Sequence, residues 1–116
     1  MSNERLYNMV FSTIYPLYIQ KAEKKGRTKS EVDNIICWLL GYNEKELLQQ
    51  IENNVSLKVF FTKAPQINPQ AMKITGKICG VSIEKISDPL FKNIRILDKL
   101  IDELAKGKKL EKILTF

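Results

Sequence analysis

The sequence predicts an all-α fold: a compact, single-domain bundle of five to seven helices over residues 1–116, with residues 1–8 as a flexible N-terminal extension. The first observation behind this prediction is that glycines stand where helices should end, at Gly26, Gly41, Gly80 and Gly107. Glycine favours the left-handed conformation past a helix end, and a following Ser, Thr or Asn caps the next helix. The second observation is composition, because 44% hydrophobic and 28% charged residues are typical of one soluble domain.

The first half of the chain predicts three helices. One runs over residues 13–25, with Pro16 in its opening turn, where a missing N–H costs little. The next begins at Thr28, which matches a capping box with Glu31, and the third follows Asn43. Apolar residues at helical spacing form the buried faces of these last two helices: Val32, Ile35, Ile36, Leu39 and Leu40, then Leu47, Leu48 and Ile51.

The spacing of apolar residues in segment 55–61 fits both a strand and a helix. Val55, Leu57 and Val59 alternate as a strand would, whereas Leu57, Phe60 and Ala64 have helical spacing. Ser56 is a suitable cap, and the sequence offers no partner strand. A short helix is therefore the prediction, and a strand is the alternative.

The second half predicts a helix from Asn68-Pro69 to Cys79, with Gly76 as an internal weak point, then one helical turn over residues 82–86. Asp88-Pro89 begins a long amphipathic helix over residues 89–106, and a last turn follows Gly107. Segments 35–47 and 74–86 share one order of apolar helix end, glycine and cap. That similarity indicates either a duplicated helical hairpin or two ordinary helix corners.

The apolar face of the long helix is wide. Its main stripe consists of Leu90, Ile94, Leu97, Ile101 and Leu104. Ile96 and Leu100 lie well to one side of that stripe, so the helix needs a second packing partner. Either another helix of this chain or a second copy in a homodimer would serve, and the second case makes Ile96 and Leu100 interface residues.

The chemical inventory favours a non-enzymatic protein. The chain has no histidine, the usual general base at neutral pH, and its two cysteines, Cys37 and Cys79, lie in apolar helical surroundings typical of inert thiols. No set of residues has the spacing of a metal site, and we expect no cofactor. The opening residues lack a secretory signal, and the longest apolar run, residues 35–40, is too short to cross a bilayer, so we expect a cytoplasmic protein.

Basic residues suggest one kind of partner. The net charge is +6, and Lys21, Lys24, Lys25, Arg27 and Lys29 cluster around the first predicted interhelical loop. Cations suit a helix C-terminus, and the next helix start offers free N–H groups to an anion. The cluster is either a contact for nucleic acid or another polyanion, or an ordinary solvated surface. Lys106, Lys108, Lys109 and Lys112 form a second cluster.

Aromatic residues suggest another kind of site. Tyr15, Tyr18, Trp38 and Tyr42 could line a small-molecule pocket between the first two predicted helices, with Arg27 holding an anionic end. The alternative is that they pack in the core with their polar atoms bound internally. A helix-turn-helix for DNA around Gly41 is disfavoured, because the second helix would present Glu44, Glu46 and Glu52 to phosphate.

Segments over nearly the whole chain carry a family resemblance. They are Tyr15-Pro16-Leu17-Tyr18, Lys21-Ala22-Glu23, Lys25-Gly26-Arg27-Thr28-Lys29, Glu31-Val32-Asp33, Ile36-Cys37-Trp38-Leu39, Gly41-Tyr42, Phe60-Phe61, Ala64-Pro65, Asn68-Pro69, Ile74-Thr75-Gly76, Cys79-Gly80, Asp88-Pro89-Leu90, Ile94-Arg95, Leu97-Asp98-Lys99-Leu100 and Asp102-Glu103-Leu104-Ala105. On these segments the chain resembles the bacterial family called domain of unknown function number 2200. The resemblance implies no activity, cofactor or catalytic residues, and the longer, more polar residues 1–8 depart from the family pattern.

Three functions follow from these observations. The leading expectation is a non-enzymatic binding or interaction module. The first alternative is binding of nucleic acid or another polyanion through the basic residues of segment 21–29. The second alternative is a small-molecule receptor or enzyme that uses the aromatic and arginine pocket.

Overall fold

The computed structural model describes residues 4–78 and 80–114. In this part of the chain the α-helices are α1 (Glu4–Tyr7), α2 (Phe11–Glu23), α3 (Lys29–Leu40), α4 (Glu44–Glu52), α5 (Leu57–Thr62), α6 (Pro89–Ala105) and α7 (Leu110–Ile113). Two 3₁₀ helices, Pro69–Lys73 and Ile83–Lys85, flank a small antiparallel hairpin of β1 (Lys77–Ile78) and β2 (Val81–Ser82). The prediction of an all-α, multi-helix domain is confirmed.

Helix α6 is the centre of the fold. It packs against α2, α3, α5 and α7, and against the hairpin and the second 3₁₀ helix. Its buried side chains cover about half of the helix circumference. They are Ile94, Ile96, Leu97, Leu100, Ile101, Leu104 and Ala105.

Ile96 and Leu100 are core residues. Their exposed fractions are 0% and 2%, so other elements of this chain cover the wide face of α6. The prediction that these two residues form an interface with a second copy is therefore wrong. Sequence periodicity gives the width of an apolar face but cannot tell which chain covers it.

Most helix starts follow the predicted caps. Thr28 completes a capping box with Glu31, and Asn43 completes another with Glu46. The carboxylate of Asp88 accepts a hydrogen bond from the Leu90 amide at 3.0 Å, at the start of α6. These side chains bond the amide protons that an α-helix leaves free at its first turn.

Helix α2 begins two residues before its predicted start. The Phe11 amide donates to the Val55 carbonyl at 2.8 Å, and Val10 forms an isolated bridge with Ser56, so a distant segment positions the first turn. Pro16 consequently lies inside the helix, which corrects its prediction as an opening-turn residue.

Residues 57–62 form helix α5, as predicted. The Ser56 hydroxyl accepts a hydrogen bond from the Val59 amide at 3.2 Å and caps the helix. The strand character of this segment is limited to the single bridge between Ser56 and Val10.

The predicted helix over residues 69–79 is wrong. Asn68 does cap a helix start, accepting from the Gln70 amide, but the helix is of the 3₁₀ type and ends at Lys73. Gly76 has φ +104°, outside the right-handed helical region, and the chain turns there into the hairpin. Cys79 lies outside the described residues. Because segment 74–78 is not helical, the structure favours two ordinary corners over a duplicated helical hairpin.

The N-terminal segment packs against the domain. Residues 1–3 lie outside the described part, whereas Glu4–Tyr7 forms α1. Leu6 and Tyr7 pack against the core, and the Tyr7 hydroxyl donates to the Asp88 carboxylate at the start of α6. The free extension predicted for residues 1–8 therefore does not include Leu6 and Tyr7.

Candidate binding groove

The two lysine clusters of the sequence meet between α2 and α6. The helices run side by side in the same direction, and their C-terminal halves border an open groove of about 690 Å³. We call it the lysine groove. Its lining residues are Leu17, Gln20, Lys21, Lys24, Lys25, Asp102, Ala105 and Lys106.

Helical spacing explains why these side chains share one surface. Leu17, Lys21 and Lys24 follow one another at intervals of four and three residues on α2. Asp102 and Lys106 are four residues apart at the end of α6. Contact between the two helices then brings together residues that are about eighty positions apart in the chain.

One carboxylate lies in the lysine groove. The two oxygens of Asp102 bind Lys21 Nζ at 3.2 Å and Lys106 Nζ at 3.0 Å. Burial opposes ionisation of Asp102, but the hydrogen bonds from the two lysines outweigh it and lower the pKa of this carboxyl. Lys24 and Lys25 form no ion pair with any described residue, so the groove has excess positive charge.

The neighbouring acid repeats this arrangement. The Glu103 carboxylate binds Lys99 Nζ at 3.4 Å and Lys108 Nζ at 3.5 Å. Each of two successive acidic residues on α6 therefore holds two lysines. Four lysines, Lys21, Lys99, Lys106 and Lys108, therefore surround these two carboxylates near the C-terminal end of α6.

A half-buried polar cluster lies beside the lysine groove, one turn back along both helices. Arg95 Nη1 binds the Asp98 carboxylate at 3.1 Å, Arg95 Nη2 donates to the Ile78 carbonyl at 3.2 Å, and Tyr18 lines the same cleft as Asp98. Burial raises the pKa of Asp98, although Arg95 and Lys21 act in the opposite direction. Burial, followed by the Asp98 charge, also raises the pKa of Tyr18.

The clefts described here do not bring the residues of the predicted aromatic pocket together, since Tyr15 and Tyr18 line different ones. The Tyr15 hydroxyl donates to the Asp33 carboxylate, the Tyr42 hydroxyl donates to the Phe60 carbonyl at 2.6 Å, and Tyr18 lines the cleft that also borders Asp98. Trp38 is half-buried against the core. The tyrosines bury their rings and bind different partners, so the aromatic residues do not converge on one ligand site.

Arg27 is not free to hold a ligand. Its guanidinium binds Glu31 and donates to the carbonyls of Leu104 at 3.2 Å and Lys108 at 2.7 Å. It therefore ties the start of α3 to the end of α6. Its predicted roles, as the anionic anchor of an aromatic pocket and as a polyanion contact, are not supported by this geometry.

Lys29 also has internal partners. Its ammonium binds Asp33 at 2.8 Å and lies 5.6 Å from the centre of the Tyr15 ring. Of the five predicted anion contacts, the structure brings Lys21, Lys24 and Lys25 together in the lysine groove and separates Arg27 and Lys29 from them. Sequence reasoning missed that Lys106 and Leu17 belong to the same surface, because only the packing of α2 on α6 joins them.

Two further properties bear on function. Among residues 4–78 and 80–114, no three cysteine or carboxylate side chains cluster as metal ligands would. Over the same part of the chain, no helix combines the length and the apolar character needed to span a bilayer.

Comparisons with known proteins place the fold but assign it no activity. A family model described as "Uncharacterized protein conserved in bacteria (DUF2200)" matches residues 5–115. The crystal structure of the uncharacterized protein SP1917 is similar, with 46% sequence identity and a TM-score of 0.92, and the match covers 98% of this chain and 93% of that one. No curated protein matches the sequence.

Proposed function

The chain belongs to the DUF2200 family of uncharacterised bacterial proteins, and from that premise we propose that it is a non-enzymatic, cytoplasmic interaction module that binds an anionic partner in the lysine groove. The observation that carries this proposal is the charge balance of the groove. Lys21 and Lys106 share a single carboxylate, and Lys24 and Lys25 stand beside them without an ion pair in the described chain. An anionic ligand would relieve the repulsion among these ammonium groups.

The titratable groups outside the lysine groove support binding rather than catalysis. Burial raises the pKa values of Tyr15 and Tyr42 to about 12, which keeps both phenols protonated at neutral pH. Burial raises the pKa of the Cys37 thiol, and a hydrogen bond to Asp33 raises that of Lys29. Nucleophiles and general bases need shifts in the opposite direction for cysteine, tyrosine and lysine.

Fluorescence anisotropy tests the proposal directly. The labelled probes are single-stranded RNA, single-stranded DNA, duplex DNA and an acidic peptide, each at about 50 and 150 mM salt. We expect at least one probe to bind at the higher salt. Lys24→Glu/Lys25→Glu should weaken that binding about tenfold or more, since it reverses the two unpaired charges of the groove.

A matched control separates the groove from net charge. Lys58→Glu/Lys63→Glu makes the same charge change on exposed residues of α5 and its C-terminal end, and neither residue lines the lysine groove. The proposal is wrong if none of the probes binds at about 50 mM salt, or if both double variants weaken binding equally. Tighter binding of a nucleic acid than of the acidic peptide would identify the polyanion alternative.

A further inference from the structure

The lysine groove continues into clefts that are lined by apolar side chains and by the Arg95–Asp98 ion pair. Beyond Lys21, two smaller clefts of about 180 and 260 Å³ follow the line between α2 and α6 towards the N-termini of both helices. All three spaces border Leu17, so they adjoin one another along α2. We call the whole the extended groove. Its far end is formed by Leu6, Met9, Ile14, Leu57 and Ile94.

Exposed apolar side chains concentrate in the extended groove. Leu17 is 57% exposed and Met9 is 42% exposed. Among the described residues, the other large exposed hydrophobic side chain is Leu48, which lines a separate cleft beside α4. Large apolar side chains that are grouped at the surface and bordered by charge are typical of interaction sites.

The extended groove is therefore chemically divided. Met9 offers apolar contact at one end, Leu17 offers it in the middle, and Lys24 and Lys25 offer unpaired positive charge at the other end. Helix α2 runs along it for 13 residues, a length of about 20 Å at the rise of an α-helix. A ligand that fills it needs an apolar side, a negatively charged end and a similar length.

We propose that the extended groove docks an amphipathic α-helix of a partner protein, with its apolar face over Leu17 and Met9 and acidic residues against Lys21, Lys24 and Lys25. This inference rests on the proposed function, because it identifies the anionic partner of the same lysines. Helices bind such grooves through apolar side chains spaced three, four and seven residues apart, and three to four turns match the length of α2.

Single-stranded nucleic acid fits the extended groove less well. Bases bind proteins by stacking on exposed aromatic side chains. The aromatic residue that lines the groove, Tyr18, is only 9% exposed. Leu17 and Met9 give no flat aromatic surface, whereas a leucine-rich helix face would bury both.

A small panel of labelled helical peptides tests the inference by anisotropy. Each has about 16 residues, with leucines on one face and glutamates in either the N-terminal or the C-terminal half. A scrambled peptide of the same composition lacks the apolar face, and a single-stranded RNA serves as a polyanion. We expect one amphipathic peptide to bind about tenfold or more tightly than the scrambled one and more tightly than RNA at about 150 mM salt.

Matched variants locate the contact. Leu17→Gln should weaken binding of the amphipathic peptide about fivefold to tenfold, as expected for loss of one partly buried leucine contact. Leu48→Gln removes an equally exposed leucine outside the groove and should leave affinity unchanged. Both positions are exposed and helical, and glutamine preserves helix propensity, so neither variant threatens the fold.

The outcomes separate this inference from the proposed function. If scrambled peptide and RNA bind as well as the amphipathic peptides and Leu17→Gln has no effect, the groove binds anions and the helix inference is wrong. The same conclusion holds if Leu17→Gln and Leu48→Gln weaken binding equally. If no anionic probe binds at either salt concentration, both the proposed function and the helix inference are wrong.

Discussion

Gly41 lies directly against the backbone of Gln66: a Cβ atom at position 41 would be 2.9 Å from both the amide nitrogen and the carbonyl oxygen of Gln66. This contact belongs to the C-terminal end of α3, where the last carbonyls lack helical partners. The Gln66 amide donates to the Leu40 carbonyl at 3.2 Å, and the Asn68 amide donates to the Leu39 carbonyl at 2.8 Å. The loop before the first 3₁₀ helix therefore completes the hydrogen bonding of α3.

Gly41→Ala should lower the free energy of unfolding by about 2–4 kcal/mol, since it combines a left-handed φ with a clash against backbone that cannot rotate away. Gly26→Ala is the matched control. Both glycines have φ +79°, but a Cβ at Gly26 meets nothing within 4 Å, so we expect a loss of only about 1 kcal/mol there. Urea denaturation measures both, and equal losses would mean that the Gln66 contact contributes nothing.

Leu100→Ala should lower the free energy of unfolding by about 2–5 kcal/mol, because it leaves a cavity in the core around α6. Leu17→Ala, on the exposed face of α2, should change it by no more than about 0.5 kcal/mol. Size-exclusion elution of the folded Leu100→Ala protein should match that of the wild type. A change of oligomeric state without loss of stability would restore the interface role that burial contradicts.

Arg27→Lys should lower the free energy of unfolding by about 1–2 kcal/mol. Lysine cannot reproduce the fork by which Arg27 binds Glu31 while reaching the Leu104 and Lys108 carbonyls. Arg5→Lys, an exposed position on α1, provides the control. Because Arg27 does not line the lysine groove, the anisotropy measured with the anionic probes should stay unchanged. If Arg27→Lys instead lost affinity for the anionic probes without losing stability, Arg27 would belong to the predicted anion site.

The contributions of Asp98 and Asp102 to the free energy of unfolding should change with pH in opposite directions. Lysine hydrogen bonds lower the pKa of Asp102 below 3.8, the ordinary value for aspartate, so its charged form stabilises the fold. This contribution is present at neutral pH and is lost as pH falls through the lowered value. Burial raises the pKa of Asp98, so its contribution is present below 3.8 and is lost as pH rises through the raised value.

Urea unfolding between about pH 3 and pH 7 tests this difference. The free energy of unfolding of Asp102→Asn should fall increasingly below that of the wild type as pH rises from 3 to about 5, and the difference should then stay constant. The stability of Asp98→Asn relative to wild type should instead improve as pH rises, since the variant avoids the cost of ionising a half-buried carboxyl. Parallel curves for the two variants would contradict the assigned environments.

Local rules explain where the sequence predicted structure correctly. The caps at Thr28, Asn43 and Asp88 act within three residues of their own position, and so each helix start is visible in a short window. The predicted helix over residues 69–79 failed for a related reason. Apolar spacing continued through the segment, but the left-handed φ of Gly76 and the pairing of Lys77 with Ser82 depend on a turn that periodicity does not report.

The sequence by itself determined the helical class, the positions of most caps, the amphipathic α6 and the two basic clusters, because these follow from neighbouring residues and from composition. Only the tertiary structure decided that Ile96 and Leu100 are covered by this chain, that Arg27 ties α3 to α6, and that Lys106 joins Lys21 in one groove. The physical reason is the sequence distance over which each interaction acts. Backbone capping and helical periodicity act over a few residues, whereas burial and charge pairing depend on which distant elements pack together.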